Sequence, residues 1–133
     1  MSTLSDPVLR ALDQFFFLFH AGFILFNLVG WIPRRTRALH RVAVLLTALS
    51  WFGLGLFYGI GYCPLTEWHW RVLRALGREG LPRSYTSYLV QRILGWAPEA
   101  GVMDLLTGVG FGIAFCLALG LYVAERKRSR VLR

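Results

Sequence analysis

Hydrophobic and polar positions along this chain group on two length scales. Three long runs carry no charge: 15–32 (FFFLFHAGFILFNLVGWI), 42–62 (VAVLLTALSWFGLGLFYGIGY) and 105–124 (LLTGVGFGIAFCLALGLYVA). At about 1.5 Å rise per residue, runs of roughly 18 to 21 residues cross a hydrocarbon core of about 30 Å. No water reaches that core, so every backbone amide must bond internally and the runs are predicted as helices. The predicted transmembrane segments are 12–32, 41–62 and 102–124. Between the last two, the pattern shortens to helical amphipathicity. Leu65, Trp68, Val72 and Leu76 fall on one stripe, opposite Glu67, Arg71, Arg74 and Arg78, which predicts a helix over 66–77 capped by Thr66. Gly77, Gly80 and Pro82 end it. Ser84 caps a second helix, 84–95, with Tyr85, Tyr88, Leu89, Ile93 and Trp96 on its apolar side. Trp68, Trp70, Tyr85, Tyr88 and Trp96 favour the headgroup boundary, so both helices are expected to lie flat on the outer surface as a lid. A fourth span over 85–96 is too short and contains Arg92. The expected fold class is all-α integral membrane, one domain, with three transmembrane helices and two amphipathic interfacial ones.

Composition agrees. Hydrophobic residues make up 56% of the 133 positions and charged residues 17%, against roughly 25% charged in an average soluble domain. That balance excludes a disordered chain, a disulfide-stapled module and an ordinary soluble enzyme. The net charge of +8 is localised. Arg34, Arg35, Arg37 and Arg41 crowd the first linker, and Arg126, Lys127, Arg128, Arg130 and Arg133 crowd the tail over 125–133. Short Arg-rich and Lys-rich segments stay cytoplasmic, which predicts an inner-membrane protein with its N-terminus outside and its C-terminus inside. The basic tail is read as a lipid-facing topology signal rather than a nucleic-acid arm. Without a basic n-region or a small-residue cleavage site, the first run is expected to be a retained helix.

Polar groups inside membrane segments are the best pointers to function. Asp13, His20, Asn27 and Arg34 recur every seven residues and so share one helix face, expected to point into the bundle. Depth arithmetic from each run's midpoint puts Asp13, Cys63 and Asp104 about 16 Å toward the exterior, Tyr58 about 9 Å and His20 about 5 Å. With His69 just beyond, these predict a pocket open to the outside, for which Asn27, Thr66 and Arg74 are further candidates. His40 falls at the opposite boundary among arginines, as a headgroup or helix-end residue. Gly55 and Gly59, and the four-residue series Gly108, Gly112, Cys116 and Gly120 with Asp104 at its mouth, are expected to let helices pack closely. His20, Cys63, His69 and Asp104 are also acceptable donors for zinc or copper, but Cys-x5-His is not a familiar ligand spacing. A bis-histidine haem requires His20 with His69, because His40 lies more than about 20 Å from His20 along the membrane normal. No resident cofactor is therefore predicted, with metal or haem kept as alternatives. Cys63 and Cys116 sit too far apart in depth for a disulfide, and no nucleophile triad or phosphate loop is present.

The stretch Gly61-Tyr62-Cys63-Pro64-Leu65-Thr66, continuing through Trp68-His69 with Leu73-Arg74, is similar to a family of small bacterial membrane proteins known as domain of unknown function 2784. The likeness includes His20, 26–31 (FNLVGW), Arg37-x-x-His40, Ser50-Trp51, Leu81-Pro82-x-Ser84-Tyr85 and Tyr88. It implies a three-helix membrane protein with no assigned reaction. It gives weight to His20, His40, Cys63, Thr66, His69, Arg74, Ser84 and Tyr88. Glu is common in that family where this chain has His69, which favours a hydrogen-bonding or hard-metal role over haem ligation there. The functional expectation is a non-enzymatic membrane protein whose outward pocket binds a small ligand, an ion or a partner subunit. A redox or metal-handling protein and a structural accessory subunit are the alternatives. Three helices enclose little interior, so a homo-oligomer or larger membrane complex is expected, with the bilayer and no nucleic acid as partner.

Overall fold

The computed structural model describes residues 6–133, and these form five helical rods without strands. Helix α1 is Asp6–Val29. A 3-10 turn, Arg34–Thr36, leads into α2, Arg37–Ala48, which continues through a π-helical segment, Leu49–Leu54, into a short α3, Gly55–Tyr58. Helices α4, Pro64–Ala75, and α5, Tyr85–Leu94, form the intervening pair, and α6 is Ala100–Val131. The rods Asp6–Val29, Arg34–Tyr58 and Ala100–Val131 are long and apolar enough to cross a membrane by length and composition.

The rods differ from expectation where local chemistry overrides apolar pattern. Helix α6 runs on through the basic residues 125–131, because arginine and lysine are good helix formers and their charge suits a helix C-terminus. At its start Glu99 accepts from the backbone N–H groups of Gly101 at 2.9 Å and Val102 at 2.8 Å. Those bonds hold the Glu99 carboxyl below its ordinary pKa. The second rod stops at Tyr58 instead of 62, since Gly59 (φ +109°) and Gly61 (φ +89°) turn the chain back through conformations that side chains resist. Helix α4 begins at Pro64, with Cys63 rather than Thr66 at the cap position; proline's fixed φ suits the first helical residue. Ser84 does precede α5 as predicted, but its hydroxyl pairs with that of Thr86 at 2.9 Å instead of capping the backbone.

Two cores hold the molecule. Val44, Phe111 and Ala118 join the second rod to α6, with Trp51 packed on Phe111 at 4.7 Å between ring centroids. Trp70, Leu73, Tyr85 and Tyr88 form the other core, where α4 and α5 meet Ile24 of α1. The buried face of α4 is therefore His69, Trp70, Val72 and Leu73, rotated from the predicted stripe, and Trp68 is exposed. Tyr85 and Tyr88 are interior groups rather than headgroup anchors, while Ile93 and Trp96 are exposed.

Candidate functional site

Helix α1 is apolar and mostly exposed, yet its polar residues turn toward the other elements. His20 and Asn27 are buried, and Asp13 is half-buried. The seven-residue recurrence thus holds over the helical part, while Arg34 lies exposed beyond its end.

At the α4–α5 side, Asp13 accepts from His69 Nε2 at 2.7 Å and from Arg92 Nη1 at 2.7 Å, with Arg92 Nη2 on its second oxygen at 3.2 Å. Arg92 also donates to the Tyr88 hydroxyl at 2.8 Å and covers the Phe17 ring at 4.1 Å. His69 is fully buried, and its Nδ1 lies 2.8 Å from the Tyr85 hydroxyl. Burial, the largest influence, lowers the His69 pKa, and the nearby Asp13 carboxylate only partly restores it. Neutral His69 then donates Nε2–H to Asp13 and accepts the Tyr85 hydroxyl proton at Nδ1. Burial also raises the Tyr85 and Tyr88 phenols above their ordinary range, so both remain protonated. For Arg92, burial opposes the charge, but the bonds to Asp13 and Tyr88 outweigh it and raise its pKa. The result is a continuous chain, Tyr85–His69–Asp13–Arg92–Tyr88, pinning α4 and α5 to α1. The carboxylate and the guanidinium, both half-buried, hold each other's charge.

Beside this chain sits a second pair. The His20 ring stacks on Tyr85 with centroids 4.0 Å apart, and its Nε2 lies 3.8 Å from Cys63 Sγ. His20 is 4% exposed and its Nδ1 has no hydrogen-bond partner. Cys63 is half-buried and free. It reaches His20 because the turn after α3 folds back on the π segment: Gly61 N–H donates to the Trp51 carbonyl at 3.1 Å and Ser50 Oγ to the Tyr62 carbonyl at 2.7 Å. A π segment leaves such carbonyls free for an outside donor, and these segments occur often at functional sites.

The other predicted site residues lie elsewhere. Asp104 is exposed, 4.0 Å from Arg83, and Tyr58 is exposed and stacks on Tyr62 at 4.6 Å. Thr66 is half-buried in the first turn of α4. Arg74 is exposed beside an open surface cleft with Arg78, Glu79, Gly80 and Leu81. Asn27 belongs to the far half, where its side chain bonds the Phe23 carbonyl at 3.1 Å and takes a bond from Thr47 at 3.3 Å. There His40 is no headgroup residue: it is buried, its Nε2 donating to the Asn27 carbonyl at 2.7 Å. That carbonyl belongs to the last turn of α1 and lacks an intrahelical partner.

The proposed four-donor set is not assembled. Both nitrogens of His69 are engaged and Asp104 is remote, and no cluster of three or more His, Cys, Asp and Glu side chains suited to a metal occurs among the described residues. The packing glycines also move. Gly55 is buried against the returning chain, where an added Cβ would stand 3.1 Å from the Ile60 Cα, whereas Gly59 serves the turn. Gly108, Gly112, Cys116 and Gly120 face away from the other helices. The α6 face that packs is instead Phe111, Ala114 and Ala118, with Gly110 against Leu28. Arg92 and Tyr85 were not among the candidate site residues, and Tyr88 carried weight only through the family likeness. Their spacing of three and four places them on one helical face, and a cation on that face was the available signal.

Helical rods of spanning length, with buried polar chemistry where α1 meets α4 and α5, define a helical protein of membrane-span character. Residues 10–123 match the family described as Protein of Unknown function (DUF2784), and the chain belongs to it. No curated protein and no solved structure matches the chain significantly.

Proposed function

We propose that this is a non-enzymatic integral protein of the bacterial inner membrane that binds a small ligand or ion at His20 and Cys63, beneath an outer lid made of α4 and α5. The observation that carries this reading is His20. Its neighbours in the Tyr85–His69–Asp13–Arg92 chain are all partnered, as a structural clamp requires. His20 is buried, and its Nδ1, like that of His40, has no partner; unlike His40, whose Nε2 bonds the Asn27 carbonyl, His20 has no oxygen partner on either nitrogen and meets only the Cys63 sulfur at 3.8 Å. An unsatisfied buried polar group costs about 1–3 kcal/mol, and a bound ion or ligand is one way to satisfy it. The orientation is supported by charge. Arg37 and Arg41 reach Glu125 of α6 at 3.0 and 3.3 Å, so the basic linker and the basic helix end lie together, at the opposite end of α1 from Asp13.

The test compares His20→Phe with Asp13→Asn. Phenylalanine keeps the stack on Tyr85 and removes the unpartnered nitrogens, so His20→Phe is expected to leave the melting temperature in detergent unchanged or higher. Native mass spectrometry is expected to lose an adduct carried by the unmodified protein. If His20→Phe destabilises as much as Asp13→Asn and no adduct depends on it, His20 is a packing residue and the reading fails.

A second reading, an accessory subunit, draws on the outward ridge of α6. An added Cβ at Gly108, Gly112 or Gly120 meets nothing within 4 Å, which leaves room for a partner helix to approach closely. Gly112→Leu is expected to abolish association on that reading and to be silent on the first.

A further inference from the structure

The His20–Cys63 pair has a geometry more specific than binding in general, and the argument rests on the reading just given. We infer that His20 Nε2 and Cys63 Sγ together bind one copper(I) ion. Three observations lead there. The first is separation. With zinc's bonds of about 2.3 Å to sulfur and 2.0–2.1 Å to nitrogen as the guide, two donors on one ion stand about 3.5–4.4 Å apart as the angle opens from tetrahedral to linear, an interval that admits a metal without choosing which. The observed 3.8 Å falls inside that interval, and it is also within reach of a hydrogen bond to sulfur. The second is availability. His69 and His40 each have Nε2 committed to an oxygen at 2.7 Å, whereas His20 Nε2, in a ring that is 4% exposed and stacked on Tyr85, faces only the Cys63 sulfur. The third is charge. When the ion binds, the Cys63 thiol releases its proton to solvent and the sulfur–metal bond replaces it. A thiolate, a neutral imidazole and copper(I) then sum to zero, whereas a divalent ion on the same donors leaves a net positive charge in a poorly solvated site. A soft thiolate with so few other donors also matches the preference of copper(I), which accepts low coordination and sulfur ligands. Cys63 is half-buried at the turn between α3 and α4, which gives the ion a path from the lid side.

The experiment titrates the full-length protein in detergent, without oxygen, with copper(I) held by a chromophoric chelator. One equivalent is expected to transfer to the protein, and bound copper is expected to protect Cys63 from alkylation. Cys63→Ser and His20→Phe should each weaken retention at least tenfold, whereas Cys116→Ser should not change it. Zinc offered in place of copper(I) should bind far more weakly. Absence of transfer, transfer that survives Cys63→Ser, or a preference for zinc overturns the copper assignment. An organic adduct that needs His20, with no copper retained, overturns the assignment while leaving the binding reading intact.

Discussion

Asp13 receives three hydrogen bonds from His69 and Arg92, and Arg92 makes three of its own, so these two residues are the centre of the local network. Asp13→Asn keeps the shape but leaves the Arg92 guanidinium without its counter-charge. The expected loss is about 1.5–3 kcal/mol, the range for hydrogen bonds to a charged group. Arg92→Gln should cost a similar amount, and the double variant less than the sum, because the second change removes a group already deprived of its partner. Additive costs in denaturant unfolding would show that the pair is not coupled. His69 gives a pH signature. Its pKa in the folded chain is depressed below the ordinary 6.5 by burial, only partly offset by Asp13, with Arg92 opposing protonation and the neutral Tyr85 and Tyr88 completing its surroundings. Below pH 6.5 the unfolded chain therefore binds more protons than the folded one. Stability is full above that pH and declines as pH falls toward the depressed folded value. The melting temperature should follow that course, and His69→Gln should make it shallower. At this scale the sequence was informative about Asp13, His20, Cys63 and His69, whose polar character inside apolar helices marks them. It was silent about Arg92 and Tyr85, because an arginine and a tyrosine on an amphipathic helix look the same whether they face solvent or a buried carboxylate.

Three spanning-length rods and two shorter helices were legible at the scale of elements, since length and hydropathy determine them directly. The faces were less so. The α4 stripe was read one step away from its buried side, because a polar histidine, His69, occupies the centre of that side and Trp68 mimics a core residue. The return of the chain after α3 was not legible either. Depth arithmetic assumes a regular rise, and the π segment with Gly59 and Gly61 breaks that assumption, bringing Cys63 down beside His20. Ser50 holds this return through the Tyr62 carbonyl. Ser50→Ala removes a hydrogen bond worth about 0.5–1.5 kcal/mol. Local opening of the turn should then become roughly two- to tenfold more frequent, measured as a faster alkylation rate of Cys63 at unchanged global melting temperature. An unchanged rate would mean that Cys63 is exposed without any opening of this turn.

For the whole molecule the decisive asymmetry is between its two ends. One carries Arg34, Arg35, Arg37 and Arg41 together with the basic end of α6, and Glu125 neutralises only part of that charge through Arg37 and Arg41. Helix α6 has 32 residues, so at about 1.5 Å per residue it extends well beyond a hydrocarbon core of about 30 Å, which lets its cations reach the headgroup region. The other end carries the α4–α5 lid and the Asp13 chain. On the proposed orientation, anionic headgroups and the positive-inside bias draw the arginine end to the cytoplasm and leave α4 and α5 outside. Labelling of intact spheroplasts with a membrane-impermeant thiol reagent checks this in a Cys116→Ser background, where Cys63 is the one remaining thiol. Cys63 should label slowly, and faster when Asp13→Asn releases the lid. A cysteine introduced by Ser129→Cys, with Cys63→Ser, should stay unlabelled until the membrane is permeabilised. The reverse pattern would invert the molecule and put the His20–Cys63 pair on the cytoplasmic side. The bundle and its hydrogen bonds would be unchanged, but any ion reaching the pair would then have to come from the cytoplasm.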